Sequence, residues 1–193
     1  TDMQLHVIYL RHLDQRAQGR GFGTNFAWDV PLIEGYSSQS LQLGAKVPGF
    51  RSLLAIWQAL GRVPRGVLLV TGWNEPLLAV CQVFARLHGY KLIVRGESNA
   101  LRKRSAIKRV VHRLLLKLPH AFLCIGSSNR YFYECSGVPV GRLFDGAYFV
   151  ENDRLASMAD EFSAQRPDLR RAMASSDAEI VLVFCGKHVP FKR

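Results

Sequence analysis

Short apolar runs alternate with stretches of helical spacing along this chain, and the alternation predicts its fold class. Leu5-His6-Val7-Ile8-Tyr9-Leu10 is apolar and β-branched, closes at Arg11-His12, and reads as a strand. Residues 11–49 are rich in Gly, Ser and aromatics and are expected to be a long loop of the kind that usually carries function. Phe50, Leu53, Leu54, Trp57 and Leu60 then recur at helical spacing, with Gly61 expected to close the helix. Val67-Leu68-Leu69-Val70-Thr71 is a continuous apolar strand. Asn74 is the expected N-cap of a helix with Pro76 in its first turn, running to His88 and stopped by Gly89.

Lys91-Leu92-Ile93-Val94-Arg95 is the next strand, followed by a helix over about residues 105–118 that Pro119 ends. Ala121-Phe122-Leu123-Cys124-Ile125 is a further buried strand. Gly126-Ser127-Ser128-Asn129 caps a short helix ending at Gly137. Apolar strands separated by crossovers of a dozen residues or more define an α/β fold with a Rossmann-like parallel sheet and helices on both faces. Residues 153–176 are polar and helical in pattern, with a break expected at Pro167. Glu179-Ile180-Val181-Leu182-Val183-Phe184-Cys185 reads as one more strand.

The chain opens almost directly in a strand and has only eight residues after the last one. A parallel strand needs a crossover and neighbours. The expectation is therefore a fragment, lacking a strand and helix before Thr1 and a larger piece after Arg193. Residues 1–152 form the first domain, 153–177 a helical linker, and 178–193 the start of a second domain.

Charge changes the picture of partners rather than of fold. Lys and Arg number 26 against 15 Asp and Glu, a net charge of +11. Nucleic acid, an anionic membrane face and phosphorylated ligands all suit such a balance. On the 105–118 helix, Ile107, Val110, Val111, Leu114, Leu115 and Leu118 form one stripe. Lys108, Arg109, Arg113 and Lys117 lie on or near the other face, after Arg102-Lys103-Arg104. A core helix with a solvated basic back is one reading, and attraction to an anionic membrane or lipid-phosphate acceptor is the other. Aromatics are not interleaved with these charges as base stacking favours.

Several chemistries lack their motifs. The cysteines at 81, 124, 135 and 185 show no C-x-x-C spacing, and Cys124 and Cys185 read as buried thiols. The six histidines form no paired metal motif. Gly19-Arg20-Gly21-Phe22-Gly23 has neither a strand leading into it nor a helix after it, so a nicotinamide or flavin site is not indicated. There is no phosphate loop and no Gly-x-Ser-x-Gly turn. What remains is the set of turns at strand carboxyl ends, where open parallel sheets bind ligands: Thr71-Gly72-Trp73-Asn74, Arg95-Gly96-Glu97-Ser98-Asn99, Gly126-Ser127-Ser128-Asn129 and Gly186-Lys187. Each offers Gly and polar groups at or near a helix start, which suits a phosphate-bearing or polyhydroxyl ligand as well as ordinary turn geometry.

Phe26-Ala27-Trp28-Asp29-Val30-Pro31-Leu32-Ile33-Glu34-Gly35-Tyr36 resembles a W-D-x-P-L-x-x-G-Y stretch of bacterial family 4 (group 1) glycosyltransferases. Arg95-Gly96-Glu97-Ser98 resembles their R-G-E/D-S strand end. Ser128-Asn129, Tyr133, Gly137-Val138-Pro139 and Glu151-Asn152-Asp153 fit the end of their first domain. Phe184-Cys185-Gly186-Lys187-His188-Val189-Pro190-Phe191-Lys192 is similar to the opening of their second domain.

The resemblance implies the two-domain GT-B architecture and metal-independent transfer with retained configuration, from a nucleotide-diphosphate sugar to a sugar or lipid-linked sugar acceptor. It implies donor-diphosphate binding by Lys187 and Lys192 beside Gly186, no metal and no further cofactor, and a cytoplasmic protein peripheral at the inner face of the membrane. Glu97 is the catalytic candidate. Trp28, Asp29, Glu34, Trp73, Asn74, Arg95 and Ser98 are the substrate-binding candidates. Nucleic acid is not among the partners of this reading. The family's glycine-rich first loop would lie before Thr1 and its paired glutamates beyond Arg193, so these residues alone are expected to be inactive. The alternatives are a non-enzymatic basic module that binds RNA or an anionic surface, and a sugar-nucleotide epimerase of the same two-domain form.

Overall fold

The computed structural model describes every residue except 1–2, 12–13, 20–21, 28–32, 45–47, 74, 102–103, 174–175, 177–178 and 183–193. The chain divides into two compact units. The larger consists of Thr1–His12 and Asp29–Tyr148, the smaller of Leu13–Trp28 and Phe149–Arg193.

The larger unit is a parallel α/β structure. Strands β3 (Val67–Val70), β4 (Lys91–Arg95), β5 (Ala121–Cys124) and β6 (Leu143–Asp145) form one sheet in that spatial order, every pair parallel. Strands β1 (His6–Tyr9) and β2 (Ser37–Ser40) pair in parallel as a separate ribbon. Helices α2 (Phe50–Arg62), α3 (Pro76–Leu87), α4 (Ala106–Leu115) and α5 (Ser127–Cys135) connect successive strands, which gives the expected Rossmann-like class. In the smaller unit, α1 (Gln15–Gly19), α6 (Asn152–Ser163) and α7 (Arg166–Met173) are helical.

The core gathers on β4 and β5. Leu92, Val94, Phe122 and Cys124 are buried, packed with Ile56 and Leu60 of α2, Leu77 and Ala85 of α3, and Phe132 and Tyr133 of α5. β4 has a partner on both sides, so its ladder groups are satisfied and its apolar side chains can be fully enclosed. Among the described residues β3 pairs with β4 alone, and Val67 and Leu69 remain 66% and 47% exposed. Burial pushes the Cys81 thiol up to about 11 and raises that of Cys124, so both are inert apolar fillers. Cys185 lies outside the described residues.

Several local expectations change. Ser37-Ser38-Gln39-Ser40 is a strand although nothing in its composition favours one; pairing with β1 imposes it. Residues 11–49 therefore contain β2 and α1 rather than one loop. β6 was likewise too short to stand out. α2 runs through Gly61 to Arg62, because there the glycine serves packing: a Cβ on it would stand 3.3 Å from the His88 ring. α3 takes Glu75 as its N-cap residue, with Asn74 outside the described residues. The break between α6 and α7 falls just before Arg166, which leaves Pro167 in the first turn of α7, where its missing N–H costs nothing. Ile180 and Leu182 are exposed and unpaired by any described strand, and the rest of the expected last strand lies outside the described residues.

His120 joins β4 to β5 ahead of their ladder. Its backbone N–H donates to the Leu92 carbonyl at 2.8 Å, and the Leu92 N–H donates to His120 Nδ1 at 2.9 Å. Burial, then Arg86 and Lys91, lowers the pKa of this imidazole; burial, then Arg104 and Lys108, lowers that of His112. A histidine whose folded pKa lies below its unfolded value of about 6.5 binds fewer protons folded than unfolded in that window. Stability is therefore expected to fall as pH drops from 7.5 to 5.5, read as the urea midpoint. Replacing both His112 and His120 by Gln should remove most of that slope, and an unchanged slope would assign it to other groups.

Candidate functional site

The carboxyl ends of β3, β4 and β5 lie side by side, so the loops that follow them converge. After β3, Gly72 takes φ +99°, a left-handed conformation that glycine adopts without a Cβ penalty. Its carbonyl accepts from Nε2 of Gln82, a side chain of α3 that is almost wholly buried, at 3.0 Å. After β4, the carbonyl of buried Ser98 accepts from Asn129 Nδ2 at 2.6 Å. After β5, Asn129 Oδ1 accepts from the Ile125 N–H at 3.2 Å. One buried amide from α5 thus ties the loops of β4 and β5 together.

Beneath these loops is an aromatic box. Trp73 stacks on Phe132 with centroids 6.2 Å apart, meets His112 edge-on at 6.0 Å, and lies 5.9 Å from Tyr133. Gly96 covers it: a Cβ there would stand 3.2 Å from the Trp73 ring and 3.4 Å from the Tyr133 hydroxyl. Trp73 Nε1 and His112 Nδ1 are buried and have no hydrogen-bond partner among the described residues, whereas the Tyr133 hydroxyl lies beside Asn129 and the Gly96 backbone. Burial pushes the Tyr133 hydroxyl well above the ordinary phenol range, so it stays a neutral donor.

The outer layer is charged. Arg95, the last residue of β4, donates through Nη2 to the Ala147 carbonyl at 2.9 Å, and its guanidinium lies 4.1 Å from the centre of the Tyr148 ring. The Tyr148 hydroxyl donates to Glu97 Oε1, and that bond is the largest cause raising the pKa of Tyr148. Arg104 donates to the Asn99 carbonyl at 2.8 Å and lies over the Phe132 ring. Arg95, Tyr148 and Glu97 therefore form one contiguous rim, with Glu97 exposed and oriented.

Of the sequence candidates, Glu97, Arg95, Ser98 and Trp73 are brought to this one edge. Trp73 is only 6% exposed, so it is a wall of the core rather than a platform on which a sugar can stack. Ser98 acts through its carbonyl. Glu34 is exposed, next to Gly35 with φ +82°, and no described contact brings it to this cluster. Trp28, Asp29, Asn74, Gly186, Lys187 and Lys192 lie outside the described residues. Gln82, Tyr133 and Tyr148 were missed. A glutamine on the apolar face of α3 is a signal that could have flagged Gln82, whereas Tyr148 carries none.

Comparison with protein-family models, with curated proteins and with solved structures gives no match. The class the fold and this edge define is a Rossmann-like parallel α/β protein. No described helix is long and apolar enough to cross a membrane, and no metal-holding cluster of His, Cys, Asp or Glu occurs among the described residues.

Asn129→Ala strands a carbonyl and an N–H in the interior and should cost about 2 kcal/mol or more, read by denaturant unfolding. Gly96→Ala should cost about 1–3 kcal/mol by overpacking the Trp73 box, with a changed near-ultraviolet tryptophan signal. Wild-type stability in both variants would separate these loops from the core.

Proposed function

We propose that the chain is the acceptor-side domain of a retaining glycosyltransferase that uses a nucleotide-diphosphate sugar. The observation that carries this reading is the exposed carboxylate of Glu97, oriented by Tyr148 at the carboxyl edge of a parallel sheet. A fixed carboxylate beside a guanidinium and a phenol suits recognition of sugar hydroxyls, which both donate and accept. Arg95 and Tyr148 are positioning residues here: the cation over the ring holds the phenol, and the phenol holds Glu97. On this reading Lys187 and Lys192 neutralise the charge that builds on the departing diphosphate, a task that needs no metal. The acceptor is a sugar or a lipid-linked sugar, and the working location is the cytoplasmic face of a membrane.

The test uses the gene product that contains these residues, assayed for nucleoside-diphosphate release from a panel of nucleotide sugars with sugar and lipid-linked acceptors. Lys187→Ala is expected to lower transfer by about 100- to 1,000-fold with folding intact. Glu97→Gln should raise the acceptor KM. No release with any donor, or full activity in Lys187→Ala, would remove the proposal.

A second reading is supported by α4. Four residues of its apolar stripe do not face the core: Ile107 and Leu114 are 77% and 59% exposed, with Val110 and Val111 also exposed, whereas Leu115 and Leu118 pack against it. His112 and the C-cap residue Leu116 also turn inward. Lys108, Arg109, Arg113 and Lys117 flank the exposed stripe, and Arg113, Lys117 and Arg142 line a hollow of about 320 Å³ beside it. Apolar side chains edged by cations suit the interface of an anionic bilayer.

Vesicles of phosphatidylcholine with and without phosphatidylglycerol provide the measurement. Binding should require the anionic lipid and weaken about tenfold or more in Ile107→Asp/Leu114→Asp. Equal binding to both vesicle types would exclude the membrane role. Salt-sensitive RNA binding unaffected by those substitutions would favour a nucleic-acid module.

A further inference from the structure

Around the four-stranded sheet, charge is divided between the two edges. Glu75, Glu97 and Asp145 lie at the carboxyl edge, before α3, after β4 and at the end of β6. Each helix of this fold ends where the next strand begins, at the opposite edge. Arg62 ends α2, Arg65 precedes β3, Arg86 lies in the last turn of α3 and Lys91 opens β4. Lys117 follows α4, and Arg142 ends the short helical turn Val140–Arg142 that leads into β6. None of these cations forms an ion pair among the described residues. Their field reaches into the fold: after burial, Arg86, Lys91 and Arg142 help to lower the pKa of His120.

A cation at a helix carboxyl end complements the helix dipole, and for Arg62 or Arg86 that is reason enough. It does not account for three cations brought to one concavity. Arg113, Lys117 and Arg142 line the hollow of about 320 Å³ between the ends of α4 and α5, together with Glu134 and Cys135. That volume lies at the lower end of the range for small-molecule sites, which begins at about 300 Å³. All three cations are exposed, and like Lys117 and Arg142, Arg113 is in no ion pair among the described residues.

The rest of the lining has used its donors. The Ser136 hydroxyl donates to the Phe132 carbonyl at 2.7 Å. The N–H groups of Ser136, Gly137 and Val138 donate to the carbonyls of Phe132, Glu134 and Tyr133, and those of Leu116 and Lys117 to His112 and Leu114. Pro139 has no N–H to give. The strong donors still available are two guanidinium forks and one ammonium.

This set suits a compact anion with several oxygens. Three cations against the one carboxylate of Glu134 leave two positive charges in the lining. A phosphate monoester carries about −1.5 to −2 at neutral pH and presents three acceptor oxygens. A phosphodiester offers one charge, and a carboxylate is already matched by a single guanidinium fork. We infer that the hollow between the ends of α4 and α5 is a binding site for a phosphate monoester, held by Arg113, Lys117 and Arg142. The monoester arrives on a soluble compound or as the headgroup of a lipid. The site shares Arg113 and Lys117 with the exposed surface of α4, but it rests neither on a membrane role for that helix nor on glycosyl transfer.

The test titrates the gene product that contains these residues with glycerol 3-phosphate in a calorimeter, in phosphate-free buffer. Saturable binding is expected. Arg113→Gln and Arg142→Gln should each weaken it about tenfold or more, and Glu134→Gln should tighten it. These side chains are exposed, so the variants keep the fold. Arg62→Gln removes the same charge from the same edge but outside the hollow, and should change affinity by less than about twofold. Dimethyl phosphate, a diester, should bind about tenfold more weakly. Vesicles of matched surface charge identify the source. A preference for phosphatidic acid over phosphatidylglycerol that Arg142→Gln abolishes assigns a lipid headgroup, and no preference, with glycerol 3-phosphate still bound, assigns a soluble ester. Ile107→Asp/Leu114→Asp should leave glycerol 3-phosphate binding intact, which separates this site from the membrane reading. Absence of glycerol 3-phosphate binding together with no preference for phosphatidic acid would overturn the inference. So would an equal loss in Arg62→Gln, which would reduce the effect to the general field of this edge.

Discussion

The pairing of β4 on both sides is the constraint from which the larger unit is built. A strand with two parallel neighbours has no free ladder groups, so Leu92 and Val94 can be withdrawn from water without stranding backbone polar atoms. His120 extends that pairing by one step before β5 begins. Because β3, β4 and β5 are held in register, their following loops are delivered to one edge. Every contact of the candidate site, from Gln82 on the Gly72 carbonyl to Tyr148 on Glu97, depends on that alignment.

The edge is organised in two layers of different chemistry. The lower one is an aromatic box around Trp73, roofed by Gly96, in which Trp73 Nε1 and His112 Nδ1 have no described partner. Burial of polar groups in this way costs free energy unless a ligand or water satisfies them. The upper one is the charged rim of Arg95, Tyr148 and Glu97, which is exposed enough to meet a solute. The box fixes the loops, and the rim presents the chemistry. α4 adds a different surface: a helix that exposes Ile107, Val110, Val111 and Leu114 of its apolar stripe to solvent, with cations along it.

Much of the fold was legible because strands buried in a parallel sheet are continuous apolar runs. β1, β3, β4 and β5 were readable for that reason, and α2, α3 and α4 by their spacing. β2 was not: Ser37-Ser38-Gln39-Ser40 becomes a strand only because β1 offers it a ladder. Gly61 looked like a helix stop because glycine usually ends helices, whereas here its missing Cβ makes room for His88. At the site, Glu97, Arg95 and Ser98 could be located from the rule that ligands meet parallel sheets at strand carboxyl ends. Trp73 was located correctly, but its surroundings make it a core residue, and exposure of one tryptophan is not encoded in its neighbours along the chain.

By itself the sequence determined the fold class, the direction of the strands and the turns that follow them, since these depend on local periodicity and on the length of each crossover. The tertiary structure decided what each side chain meets. It turned most of the stripe of α4 outward and placed Asn129 between two loops. It brought Tyr148 to a glutamate 51 positions away and gathered Arg113, Lys117 and Arg142 around one hollow. Those outcomes rest on pairing and packing between residues far apart in the chain, which no pattern within a single segment can specify.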